Sequence, residues 1–317
     1  MKKNRLSFSA VSIDNKKGPD PQRDDNRVHR NSIMKRKTIK SSTYQYTKKN
    51  FGRSKNSKNF NNRENDVKKI APPEKDVIRI IPLGGVEEIG KNMTAIEIND
   101  DIIVIDAGMH FSNEETPGVD YVIPNTTYLE EHKDKIRALF ITHGHLDHIG
   151  GVPVVLSRIG NPPVYSRNLS ILLMRKRQAE FPHLPQMKEN IVEKDDVITC
   201  GKMRIKFFGV THTIPDSMGL IIETNNGWIV TPGDYKLDQV DGIVTKEEEK
   251  EYSIFDKAKV LLLLTDSTNI ENEGFSLPEI KVHQGLENLI KKINGRIIIA
   301  AFSSHITRLA HVVKTAE

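Results

Sequence analysis

Thr142-His143-Gly144-His145-Leu146-Asp147-His148-Ile149-Gly150-Gly151 packs three histidines and an aspartate into six residues, directly after the apolar run Arg137–Thr142. That run reads as a buried strand, so the histidines leave a strand end. His143 and His145, two apart on extended backbone, project to the same side and can share one metal ion. Asp147 and His148, on the turn into a helix, can reach a second ion a few ångströms away. Gly144 gives room for the turn, and Gly150-Gly151 lets the next helix start close to its neighbours. A lone histidine is ordinarily a satisfied polar group. Four nitrogen and oxygen ligands at this spacing are a metal site.

Working outward, three more residues stand at the ends of predicted strands. Asp106 closes Ile102–Asp106, where a carboxylate orients a ligand imidazole or accepts backbone hydrogen bonds. His212 follows the strand Met203–Val210, and Asp234 follows Trp228–Thr231. A histidine to complete the first site and an aspartate to bridge two ions are what a two-metal hydrolase requires.

The rest of the pattern is one of short β-rich runs with helices between them. Strands are expected at Val77–Pro82, Thr94–Ile98, Gly219–Glu223 and Val260–Thr265, with Gly219–Glu223 and Trp228–Thr231 forming a hairpin. Helical spacing appears over Leu129–Lys135, His148–Ile159 and Leu169–Phe181. This predicts an α/β architecture of sheets packed face to face with helices outside. From about residue 277 the texture changes to helix (Pro278–Ile293), apolar strand (Arg296–Ala301) and helix (His305–Ala316), a β/α unit. One such unit has no neighbouring strand, and the chain stops within a helix. A truncated second domain is therefore expected.

Charge divides the chain of 317 residues. Of 47 Lys+Arg and 42 Asp+Glu, residues 1–76 hold 21 and 8, a net of +13; the remainder holds 26 and 34, a net of −8. The first segment has no sustained apolar period and is expected to be a disordered basic arm. Scattered Tyr44, Tyr46, Phe51 and Phe60 suit it to a nucleic-acid backbone and its bases. A single cysteine, Cys200, rules out a disulfide framework or multi-cysteine zinc site and suits a reducing compartment. No apolar stretch is long enough for a membrane span and no signal peptide is evident, so a cytoplasmic protein without membrane contact is expected.

The combination HGHLDH, upstream IDAG, and downstream THTIPDS and TPGDYKLD resembles the metallo-β-lactamase αββα sandwich. Within it, IRIIPLGGVEEIGKNM, ALFITHGHLDHIGGVP, THTIPDSMGL and LLLTDSTN are similar to the catalytic half of the ribonuclease J family, bacterial β-CASP ribonucleases. The resemblance covers about residues 77–317. It implies a metallo-β-lactamase domain over 77–277 and the incomplete start of a β-CASP domain over 278–317. It implies that His143, His145 and His212 bind one divalent ion, that Asp147 and His148 bind the other, that Asp234 bridges them and that Asp106 supports them. Asp147 and Asp266 carry catalytic roles in that scheme, Asp266 matching the first acidic β-CASP motif. The ions implied are zinc, with manganese the competitor.

The activity implied is hydrolysis of RNA phosphodiesters, as endonuclease and 5′-to-3′ exonuclease, in RNA maturation (rRNA processing included) and decay, by a homodimer or tetramer. Two departures stand out. Pro232 lies between Thr231 and Gly233, where the family has Thr-Gly-Asp-Phe-Lys. The family's later motifs, with the remaining second-metal histidine, the general-acid histidine and the 5′-phosphate pocket, lie outside these 317 residues. The competing readings are a metallo-β-lactamase-fold hydrolase of a small ester and an inactive fragment that binds RNA. His110, His132, His183, His283 and His311, in polar or helical surroundings, are read as unclustered and assigned no catalytic role, and His305 is not read as the family's general-acid histidine, which lies further along.

Overall fold

The computed structural model describes residues 70–317 except 72, 113–116 and 257. The expected basic arm over 1–76 lies almost wholly outside the described residues.

Two sheets carry the structure. In the first, strands β1 (Ile78–Gly84), β2 (Met93–Ile98), β3 (Asp101–Ile105), β4 (Ile136–Phe140), β5 (Pro163–Ser166) and β6 (Lys188–Ile191) lie side by side in chain order. The second runs from β7 (Val197–Cys200) through β8 (Met203–Gly209), β9 (Met218–Thr224) and β10 (Gly227–Thr231) to β11 (Val260–Leu263). β1 to β3 are antiparallel and β3 to β6 parallel. β7 to β10 are antiparallel and β11 joins in parallel.

Alternation along the strands builds the layers, because successive side chains face opposite ways. Ile102 and Val104 of β3 point to a core shared with α1 (Thr127–Glu131), α3 (Val152–Arg158) and α4 (Asn168–Ala179), which contribute Leu129, Val155, Leu156, Ile171 and Met174. Ile103 and Ile105 face the other way, onto Ile205, Phe207, Leu220 and Ile222 of the second sheet. Phe208, Ile221 and Val230 on that sheet's outer face are covered by Tyr252 and Phe255, at and just after helix α5 (Lys246–Tyr252). The order is helix, sheet, sheet, helix. Each fully buried Ile, Leu or Phe of the central layer contributes about 1.5–3 kcal/mol.

The predicted helix His148–Ile159 is two helices, α2 (Leu146–Ile149) and α3. Pro153 sits in the first turn of α3 and has no N–H to continue the earlier ladder. At the C-terminal end, α6 (Glu279–Lys292) and α7 (Ile306–Ala316) form as expected. The predicted strand Arg296–Ala301 does not: these residues have no regular structure. Among the described residues no strand lies beside them to accept their hydrogen bonds, and an apolar run without a ladder partner is not a strand.

Candidate metal centre

The polar residues singled out in the sequence leave one end of the two sheets. β3 and β4 are parallel, so Asp106 and His143 emerge together; β8 and β10 run the same way, so His212 and Asp234 do too. The Met218 N–H, at the start of β9, donates to the Thr142 carbonyl at 3.0 Å and ties the two sets at this edge.

His143 Nε2 lies 3.0 Å from His145 Nδ1, which lies 3.1 Å from His212 Nε2. Three ring nitrogens thus converge on one point. Tetrahedral zinc with bonds of about 2.0–2.1 Å separates its ligand nitrogens by roughly 3.3 Å, so the trio fits such an ion with little adjustment. Burial pushes the His143 pKa well below the usual imidazole range, reinforced by the charges of His148, His212 and His145. Burial likewise lowers His145, and with His145 beside it pushes His212 down to about 4. All three are neutral, with lone pairs available.

A second group adjoins the first. His148 Nε2 is 3.3 Å from Asp234 Oδ1 and 3.5 Å from Asp147 Oδ2, and Asp234 Oδ2 is 4.0 Å from both His143 Nε2 and His212 Nε2. Asp234 therefore stands between the two groups, Pro232 notwithstanding. Gly233 makes this possible at φ +67°, where a Cβ would come 2.8 Å from that of Thr142. Burial opposes a charge on His148, but the carboxylates of Asp106 and Asp234 outweigh it and raise its pKa well above the usual range. Burial also opposes ionisation of Asp234, and His148, with His212 and His145 behind it, overrides that and lowers its pKa. The trio supplies neutral nitrogens, while the second group attracts positive charge.

Asp106 organises both. Its backbone is left-handed (φ 61°), which turns the buried carboxylate back under the end of β4. There it accepts from the Thr142 N–H at 2.8 Å, the Thr142 hydroxyl at 2.9 Å and His148 Nδ1 at 2.8 Å. The Thr142 hydroxyl in turn lies 3.0 Å from His143 Nδ1. This chain of hydrogen bonds places protons on Nδ1 of both His143 and His148 and turns both Nε2 atoms toward the centre.

Two residues here were not singled out in the sequence. Thr142 is the relay just described. Asn92, in the turn before β2, directs its amide at Asp147 Oδ2 (3.2 Å) and His148 Nε2 (3.0 Å). Its backbone also pins the site: the Asn92 N–H donates to Asp147, and its carbonyl accepts from Gly108. The approach is so close that a Cβ on Gly108 would overlap the Asp147 carbonyl. The signal was present in Gly90-Lys91-Asn92, where residues 90 and 91 both have positive φ, but it needs the tertiary fold to be read.

Asp266 is not brought into the cluster. Its carboxylate accepts from the N–H and hydroxyl of Thr268, closing its own turn, and its charge acts on His212. Among histidines read as unclustered, His283 and His311 in fact stack at 4.4 Å across α6 and α7.

Residues 87–248 match the family model of the metallo-beta-lactamase superfamily. The chain belongs to this superfamily. The superfamily fold and the His/Asp cluster point to binding of divalent metal. Among curated proteins, ribonuclease J of Thermus thermophilus is 40% identical over 252 residues, covering 76% of this chain and 43% of that protein. Ribonuclease J2 of Bacillus subtilis is 38% identical over 239 residues, with 75% and 43% covered. The chain thus spans less than half the length of these relatives. A solved structure of a protein of unknown function from Enterococcus faecalis V583 shares the fold, with a TM-score of 0.56 at 19% identity over 74% of this chain and 62% of that one. Among the described residues no helix is long and apolar enough to cross a membrane.

Proposed function

We propose that this chain is the catalytic part of a metal-dependent ribonuclease that hydrolyses RNA phosphodiester bonds, internally and from the 5′ end. The observation that carries the reading is the 40% identity to a curated ribonuclease J over three quarters of the chain. A stretch that long necessarily takes in Asp106 through Asp234.

In this reading His143, His145 and His212 hold one divalent ion, His148 and Asp147 hold another, and Asp234 serves both. A donor set of nitrogen and oxygen alone suits zinc, then manganese. Bound there, such ions supply Lewis acidity toward the phosphate and a nucleophile at neutral pH. The chain's own part is preparation. Burial keeps the three imidazoles unprotonated, Asp106 holds the His148 proton at Nδ1, and Asp234 stays anionic between the groups. Asn92 keeps the Asp147 carboxylate beside His148. The basic segment of net +13 supplies long-range attraction for RNA that a body of net −8 lacks.

The test is degradation of one RNA carrying a 5′-monophosphate or a 5′-triphosphate, with zinc or manganese, with chelator, and with Asp147→Ala. Cleavage that needs metal and falls at least about 100-fold in the variant is expected, a loss of the size that follows removal of a group acting in the transition state. Cleavage indifferent to chelator, or equal in the variant, sinks the reading.

A further inference from the structure

His212 and Asp234 each follow a strand, β8 or β10, by three residues, and each lies in a longer irregular segment. Residues 210–217 and 232–238 are irregular, so cross-ties must hold them. One tie is direct: the N–H of Lys236, two residues past Asp234, donates to the carbonyl of Thr211 at 2.8 Å. A single peptide group joins the two loops next to the residues that matter.

The Lys236 side chain then crosses to the helices. Its Nζ meets Glu279 Oε2, on the first residue of α6, at 2.7 Å. Arg308 of α7 holds the same carboxylate in a fork, Nε to Oε1 at 2.5 Å and Nη2 to Oε2 at 3.0 Å. The Lys236 and Glu279 side chains are largely sheltered, 14% and 23% exposed. Arg308 foremost, with Lys236, outweighs the cost of burial and lowers the Glu279 pKa to about 2, so it is anionic at any working pH. Other ties between these segments are weaker. Lys281 and Asp241 are 3.6 Å apart and well exposed, and Gln239 reaches the Ser276 carbonyl at 3.4 Å.

We propose that Glu279 is a positioning residue for the metal centre: held by Arg308, it anchors Lys236 and so fixes the paired loops that present His212 and Asp234. The proposal rests on the reading of that cluster as a metal centre. Residues that orient ligands from outside typically change metal affinity about 10–100-fold when lost. Here the lever is longer than usual: Asp216 also ties the first loop to the Leu169 N–H and Tyr235 ties the second to Thr265, but the Lys236–Glu279 pair is the charged tie next to Asp234.

The experiment is a Co²⁺ titration of the full chain, read by the visible d–d bands, for the wild type, Glu279→Gln, Lys236→Met and the double variant. Lys281→Met, which breaks the weaker tie, serves as control. Each single variant at the anchor is expected to bind Co²⁺ about tenfold more weakly, with altered band intensity. The double variant should be no worse than the weaker single, because both remove one linkage. The control should stay within about twofold, since surface pairs of this kind contribute little.

An unchanged affinity and spectrum in Glu279→Gln overturns the proposal, as does a double variant showing the product of the two single losses. Should Glu279→Gln fail to fold, Lys236→Met against its control decides alone. If the wild type takes up no Co²⁺, the metal-centre reading itself has failed, an outcome distinct from a loss confined to the variants.

Discussion

Ile102–Ile105 and Ile297–Ala300 are equally apolar four-residue runs, yet Ile103 is fully buried and Ile298 is 91% exposed. Ile103 sits in a strand paired on both sides, to Ile96 of β2 and Ala138 of β4. It packs against the second sheet as well. Among the described residues the 297–300 run has neither neighbour, and it takes no regular form. Similar local chemistry gives opposite outcomes because a strand is a property of its partners, whereas a helix satisfies its own backbone. That is why α6 and α7 form beside the failed strand. One part of this molecule is closed by apolar layers; the other, α6 and α7, has no fully buried side chain and carries the ion cluster around Glu279.

The largest effect expected from that contrast is on stability. Leu220→Ala opens a cavity between the sheets and should cost about 2–5 kcal/mol. Ile298→Ala removes a side chain already in water and should stay within about 0.5 kcal/mol. Chemical denaturation of both variants measures this. Similar losses would mean that the 297–300 run is buried in solution and that the contrast is false.

The site was legible where chemistry is compressed in sequence. HGHLDH spans a single turn, so its spacing alone implies convergence, and Asp106, His212 and Asp234 announce themselves as polar residues at the ends of apolar runs. Asn92 did not, because its role arises only when the turn before β2 meets the β4–α2 loop. Thr142 was hidden likewise: its hydroxyl matters only because a left-handed Asp106 turns beneath it. In the fold, β5, β6 and β7 were missed. Lys188-Glu189-Asn190-Ile191 carries almost no apolar signal, and its place in the sheet is secured by pairing with Pro163–Ser166. The false strand at Arg296–Ala301 is the same lesson in reverse.

The next effect in size tests whether the metal centre takes its order from the closed half. Asp106→Asn keeps a residue type that tolerates positive φ, so backbone strain is little changed. It removes the charge that fixes the protons of His148 and, through Thr142, of His143. Zinc affinity, measured by competition with a chromogenic chelator, should fall about 10–100-fold. An unchanged affinity would show that the ligands are aligned without Asp106, and that the sandwich contributes only their positions.

The smallest effect concerns how the open half is held. The Glu279 pKa is about 2 with Arg308 and Lys236 in place, against an ordinary 4.5 when they let go. The docked state therefore binds fewer protons than the undocked one. Its contribution to docking is complete above about pH 4.5 and is lost progressively as pH falls toward 2. Amide protection in α6, corrected for intrinsic exchange and compared with β9, should decline in the wild type as pH falls from about 4.5 toward 2, the window set by those two values. In Glu279→Gln it should start lower and change less, since the titrating group is gone. Protection in β9, resting on apolar layers, should follow the variant and the wild type alike. If α6 declines equally in both proteins, the ion cluster does not hold these helices, and apolar contact does so in this half as in the other.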